Sequence, residues 1–308
     1  MNRKFSAIPD DGMDRPRGIQ RVRRLPAPEL GALWHSIFID AHLKTQLLSQ
    51  AVLNFTLRGK VERAVIPLHG VILLVGPPGT GKTSLARGLA HRTAESFSAA
   101  RFQLLEVEPH SLTSSAMGKT QRAVSELFSQ SVAEAAAAGP TIVLLDEVET
   151  LAADRSKMSL EANPVDVHRA TDAVLVQLDA LAETHPNLLF VATSNFPQAV
   201  DSAFTSRCDL IVHIPLPDRD ACRHILKDCL EGLGRTFPPI AKLVASPEFE
   251  RCAAECVGLD GRAIRKMVAN ALASSPQTAM NPALVTITDL LAAARAAKAA
   301  RVDGGKAQ

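Results

Sequence analysis

The run Gly76-Pro77-Pro78-Gly79-Thr80-Gly81-Lys82-Thr83 fits the phosphate-binding pattern G-x-x-x-x-G-K-[ST], directly after the apolar stretch Val71–Val75. Its glycines let successive backbone N–H groups converge on an anion with no side chain in the way. A helix over Ser84–Arg92 adds the positive end of its dipole. In that setting Lys82 reaches the β- and γ-phosphates of a nucleoside triphosphate, and the Thr83 hydroxyl sits on Mg²⁺. The expected phosphate-binding set runs from Gly76 to Ser84.

Further along, TIVLLDE (Thr141–Glu147) reads as a strand ending in two acids. Parallel strands present their C-terminal ends on one side, so an acid there lies beside the phosphate loop. Asp146 is expected to hold Mg²⁺ through water, and Glu147 to act as general base on the attacking water. The next strand ends in Thr193-Ser194-Asn195, where the Asn195 amide suits water and γ-phosphate; a plain strand-end turn would read the same. Arg207, closing Asp201–Arg207, is either an arginine offered to a neighbour's γ-phosphate or a surface ion pair. Arg262 opens a later helix after Gly258-Leu259-Asp260-Gly261. It either reaches back to the γ-phosphate or decorates a helix surface.

These residues need strands to deliver them to one edge. The strand candidates are Val71–Val75, Phe102–Val107, Thr141–Leu145, Leu188–Thr193 and Leu210–Ile214, each nearly all apolar. Amphipathic stretches lie between them, such as Val165–Leu181, opened by Asn163 as cap and Pro164 in the first turn. Strands buried on both faces and separated by helices predict an α/β fold with a parallel five-stranded sheet flanked by helices. Beyond Pro215-Leu216-Pro217 only helical periodicity remains, over Arg219–Leu233, Gly261–Ala273 and Thr288–Arg301. The expected division is a mobile basic arm at 1–28, a large α/β domain at 29–217, a small helical lid at 218–303 and a disordered tail at 304–308. In the arm, arginines alternate with prolines without apolar periodicity, which reads as a solvated tail or, alternatively, an anion contact.

Composition bounds the rest. The 308 residues are 46% hydrophobic and 21% charged with net charge +2, a globular balance that favours no polyanionic partner. One Trp and no Tyr argue against base-stacking platforms for nucleic acid. The five cysteines are odd in number and form no C-x-x-C pair, which fits a reducing cytoplasm better than a disulfide or metal framework. No apolar stretch reaches transmembrane length, so no membrane partner is expected.

Loop, acid pair, polar strand end, arginine and helical lid arrive in an order that resembles the AAA+ ATPases. Within them the chain is most similar to the pachytene checkpoint, or thyroid-receptor-interacting, branch. The carrying runs are GPPGTGKTSL (76–85), LLEVEPHSL (104–112), LLDEVETLAADR (144–155), VLVQLD (174–179), TSN (193–195), DSAFTSRCDL (201–210) and GLDGRAIRKM (258–267). The resemblance implies ATP and Mg²⁺ as ligands and an ATP-hydrolysing homo-hexamer with ATP bound between subunits. It makes Glu147, Asn195, Arg207 and Arg262 catalytic and Thr83 and Asp146 metal-associated. It further implies a HORMA-domain client, opened by pulling on its N-terminus. In short bacterial members this client forms a complex with a nucleotidyltransferase, whose anti-phage signalling is held off. Eukaryotic members carry a folded N-terminal domain where about 30 residues stand here, which points to a bacterial member. The family's pore loop bears an aromatic gripping residue; here the position reads Ala116-Met117-Gly118, and the flexible Met117 thioether is either the substitute or part of a packed loop. An unfoldase with another protein client, and an ATP-controlled nucleic-acid clamp or helicase loader, remain alternatives.

Overall fold

The computed structural model describes residues 16–112, 119–154 and 164–304. They form two compact units. One comprises the residues up to His35 with Ala41–Gly76 and Lys82–His213; the other comprises Ser36–Asp40, Pro77–Gly81 and the chain from Ile214 on.

The first unit is built on strands β1 (Ile19–Leu25), β2 (Val71–Val75), β3 (Phe102–Val107), β4 (Thr141–Leu145), β5 (Leu188–Ser194) and β6 (Leu210–His213), in the order β1-β3-β4-β5-β2-β6. The five strands from β2 to β6 run parallel, and every residue of β2, β4 and β5 is buried. Such two-sided burial needs cover on both faces, which explains the unbroken apolar runs. Around the sheet lie α1 (Pro28–Ser36), α2 (Ala41–Leu57), α3 (Lys82–Glu95), α4 (Lys119–Glu126), α5 (Ala133–Ala138), α6 (Pro164–Thr184) and α7 (Ser202–Thr205). Val71, Leu73 and Val75 share a core with Val174 and Leu178 of α6 and with Phe128, which stacks on Phe190. The alternate residues Ile72 and Leu74 are equally buried, and α3 packs against β2, β4 and β5. Alternation along β2 thus feeds two layers.

Two expectations need correction. The sheet has six strands rather than five and is mixed, because β1 pairs antiparallel with β3. That strand falls inside the segment 1–28 expected to be a mobile arm. Ile19 and Leu25 are buried at its ends, and Arg23 Nε donates to Oε1 of the buried Glu106 at 3.1 Å. Arg87 donates to the other oxygen of Glu106 at 3.0 and 2.7 Å, and Arg23 also reaches Glu29 at 3.1 Å. A buried carboxylate needs such partners, so the basic residue anchors the strand.

The second unit is helical: α8 (Arg219–Gly234), α9 (Pro238–Ala241), α10 (Phe249–Glu255), α11 (Gly261–Leu272), α12 (Pro276–Met280) and α13 (Ile287–Gly304). Its core joins Ile225, Leu226 and Leu230 of α8 to Ile264, Met267 and Val268 of α11 and to Leu290, Leu291 and Ala294 of α13. Three- and four-residue spacing puts each set on one helix face. The last helix runs to Gly304, and residues 305–308 lie outside the described residues.

Candidate active site

The phosphate loop joins β2 to α3. Gly79 and Gly81 have φ of +81° and +90°, conformations that favour glycine, and a Cβ on either would run into Asp260 or Ile37. The loop is therefore shaped for backbone contact with a ligand. Lys82 is 5% exposed and donates from Nζ to the Gly76 carbonyl and to Asn195 Oδ1, both at 2.8 Å. The Thr83 hydroxyl donates to Asp146 Oδ1 at 2.8 Å, and Thr193 Oγ1 donates to the same oxygen at 2.5 Å. Thr83 and Asp146 thus present hard oxygen donors side by side, the ligand chemistry that suits Mg²⁺.

Glu147 lies at the turn after β4 with φ 54° and ψ 55°, in the left-handed region. A non-glycine residue there costs on the order of 1 kcal/mol or more, and such strain gathers at functional sites. Its backbone N–H donates to Thr193 Oγ1 at 3.2 Å. Its carboxylate accepts from Asn195 Nδ2 at 3.2 Å through Oε1 and meets His110 Nε2 at 3.0 Å through Oε2. Asn195 is held in turn, its backbone N–H donating to Glu149 Oε1 at 3.1 Å. The structure therefore brings Lys82, Thr83, Asp146, Glu147 and Asn195 into one hydrogen-bonded cluster.

Arg207 follows the short α7, whose first turn is capped by Asp201 accepting from the Ala203 N–H at 2.8 Å. Its guanidinium grips Asp179 of α6 with two bonds of 2.9 and 2.7 Å and donates to the Ala203 carbonyl at 2.7 Å. His69 Nε2 lies 3.7 Å from the same carboxylate. The bond from Arg207 holds the Asp179 carboxyl below its ordinary range, and Asp179 raises Arg207 in return. Burial and the nearby Arg63 push His69 down, favouring the neutral ring. Among the described residues no hydrogen bond links Arg207 to the loop cluster.

In the helical unit, Arg262 lies in the first turn of α11, and its N–H donates to the Gly79 carbonyl at 3.3 Å. Its side chain is exposed. Ala116, Met117 and Gly118 lie outside the described residues. Sequence reasoning assigned no role to Thr193, His110, Glu149 or Asp179, although all four lie in the motif runs. Their partners stand 47, 37, 46 and 28 residues away, so no local pattern pairs them.

Lys82 and Thr83 of a phosphate-loop motif, gathered with an acid pair and a polar strand end on the parallel strands of the sheet, define a phosphate-loop nucleotide hydrolase. Residues 72–216 match the family model for the ATPase family associated with various cellular activities (AAA). The chain is 72% identical over 291 residues to CD-NTase-associated protein 6 of Pseudomonas aeruginosa, covering 94% of this chain and 96% of that protein. The chain belongs to the AAA ATPases. It is also 33% identical to a pachytene checkpoint protein 2 homolog of Oryza sativa subsp. indica, matching 82% of this chain but only 61% of that longer protein. Its fold is shared with a solved HORMA:CdnC:Trip13 complex of E. coli MS115-1, at TM-score 0.68 and 18% identity, covering 90% of this chain and 94% of that one.

Proposed function

We propose that this ATPase works as a homo-hexameric ring that opens or disassembles a HORMA-domain protein complex, keeping a HORMA-activated nucleotidyltransferase of an anti-phage pathway off. The observation that carries the catalytic part is the bonded chain from Lys82 through Asn195 to Glu147, beside the Thr83–Asp146 pair. The client part is supported by the 72% identity to a CD-NTase-associated protein and the shared fold with the HORMA:CdnC:Trip13 complex.

In this reading Lys82 and the backbone N–H groups of Gly79–Thr83 hold the phosphates. Thr83 and Asp146 would hold Mg²⁺, which would supply neutralisation of phosphate charge. The Asn195 amide orients the Glu147 carboxylate, which takes a proton from the attacking water; ATP and water become ADP and phosphate. Arg207 serves a neighbouring subunit, Arg262 serves from the lid, and Ala116-Met117-Gly118 grip the client. A cytoplasmic location belongs to the same reading. The nucleic-acid alternative loses ground at the basic arm: Arg23 pairs with Glu106 and Glu29, and Arg17 donates to the Ser111 carbonyl.

Glu147→Gln is expected to keep ATP affinity while lowering turnover about 100-fold or more. Loaded with ATP in lysate of its own organism, the tagged variant should retain a HORMA-domain protein, identified by mass spectrometry and released by ADP. Turnover at the wild-type rate would remove Glu147 from the role of base. Recovery of replication factors or nucleic acid instead would replace the client.

A further inference from the structure

The first turn of α11 lies against the tip of the phosphate loop, and it brings an acid with it. The Arg262 N–H donates to the Gly79 carbonyl, and the Asp260 carboxylate sits so close to Gly79 that a Cβ there would collide with it. Asp260 Oδ1 caps the helix by accepting from the Ala263 N–H at 2.9 Å. As a cap this is ordinary. As an electrostatic neighbour it is adverse, because a carboxylate beside a loop that gathers N–H groups for phosphate repels the anion the loop would receive.

The adverse charge is met from a distant part of the chain. Asp260 Oδ2 accepts from Nη1 of Arg301, 41 residues later near the end of α13, at 3.1 Å. Helix packing does not require this bond, since α11 and α13 already share the apolar contacts of Ile264, Met267 and Val268 with Leu290, Leu291 and Ala294. We propose that Arg301 sets the affinity of the phosphate loop for nucleotide by neutralising Asp260, acting through that carboxylate rather than by touching phosphate. The proposal rests on the reading of Gly76–Ser84 as a nucleotide-binding loop. It makes Arg301 a positioning residue for charge, with the last helix of the chain contributing to the loop's field.

The test is a double-mutant cycle read by titrating Mg·ADP into the full-length protein. Arg301→Ala leaves Asp260 uncompensated and is expected to weaken binding about tenfold at low salt, a gap that shrinks as salt rises. Asp260→Asn keeps the cap without the charge and should bind at least as tightly as wild type. The double variant should fall within about twofold of Asp260→Asn alone, because the cation then has nothing to offset. Arg301→Lys, which preserves the charge, should stay within about threefold of wild type. Unchanged affinity in Arg301→Ala overturns the proposal. So does a double variant as weak as Arg301→Ala, which would mean that Arg301 contacts phosphate directly or merely braces α13. A wild type that binds no Mg·ADP would instead overturn the reading of the loop itself.

Discussion

Both oxygens of the Glu147 carboxylate are engaged, one by the Asn195 amide and one by His110. A side chain bonded to a carboxylate oxygen occupies the place where an attacking water would otherwise donate its proton. If Glu147 is the base proposed above, His110 competes with the water for Oε2 and acts as a brake, whereas Asn195, fixed by Glu149, holds the other oxygen as its guide. His110→Ala is expected to raise client-free turnover about threefold with the KM for ATP unchanged, measured by steady-state phosphate release. Turnover falling to the level of Glu147→Gln would make His110 part of the guide instead. The sequence revealed this site unevenly. The gathering of Lys82, Thr83, Asp146 and Glu147 was legible because the loop and acid-pair motifs carry those types at fixed local spacing at the ends of parallel strands. His110 and Glu149 were not, because their contacts exist only after β3, β4 and β5 are laid side by side.

At the scale of elements, the same contrast separates β1 from the other strands. The runs of β2 to β6 are apolar enough to be read directly, and β2, β4 and β5 are buried on both faces. β1 reads IQRVRRL, and its arginines hide it among the prolines and cations of the arm. What places it is Glu106, whose side chain is only 4% exposed and is clamped between Arg23 and Arg87. An acid inside β3 was visible in the sequence, but its basic partners were not. Removing the acid leaves two arginines facing one another beside the core, so Glu106→Ala should destabilise the fold by about 2–3 kcal/mol. That is below the full cost of breaking a buried pair, because the Arg23 and Arg87 side chains are 22% and 30% exposed. Arg23→Ala, which leaves the Arg87 pair intact, should cost only about 1 kcal/mol. Urea unfolding of both variants checks the ranking, and equal losses would mean that β1 is held by its apolar ends and ladder alone.

For the whole molecule, the informative fact is that, among the described residues, Arg207 bonds to Asp179 and Ala203 and not to the loop cluster of its own chain. The proposal above has this arginine serve another copy, and the sequence could not distinguish that from a surface ion pair, which Arg207 forms with Asp179. Two inactive variants separate the possibilities. Arg207→Ala keeps its own loop, acids and Asn195 but offers no arginine to its neighbour; Glu147→Gln offers the arginine but lacks the base. Each alone is expected to bind ATP and turn over at least about 100-fold below wild type. Mixed in equal amounts and allowed to exchange subunits, about a quarter of interfaces should join an intact base to an intact arginine. Turnover should then rise well above either parent, following the product of the two fractions as the ratio is varied. If Arg207 acts within its own chain, no mixture assembles a complete site, and the activity stays at the mean of the two parents at every ratio.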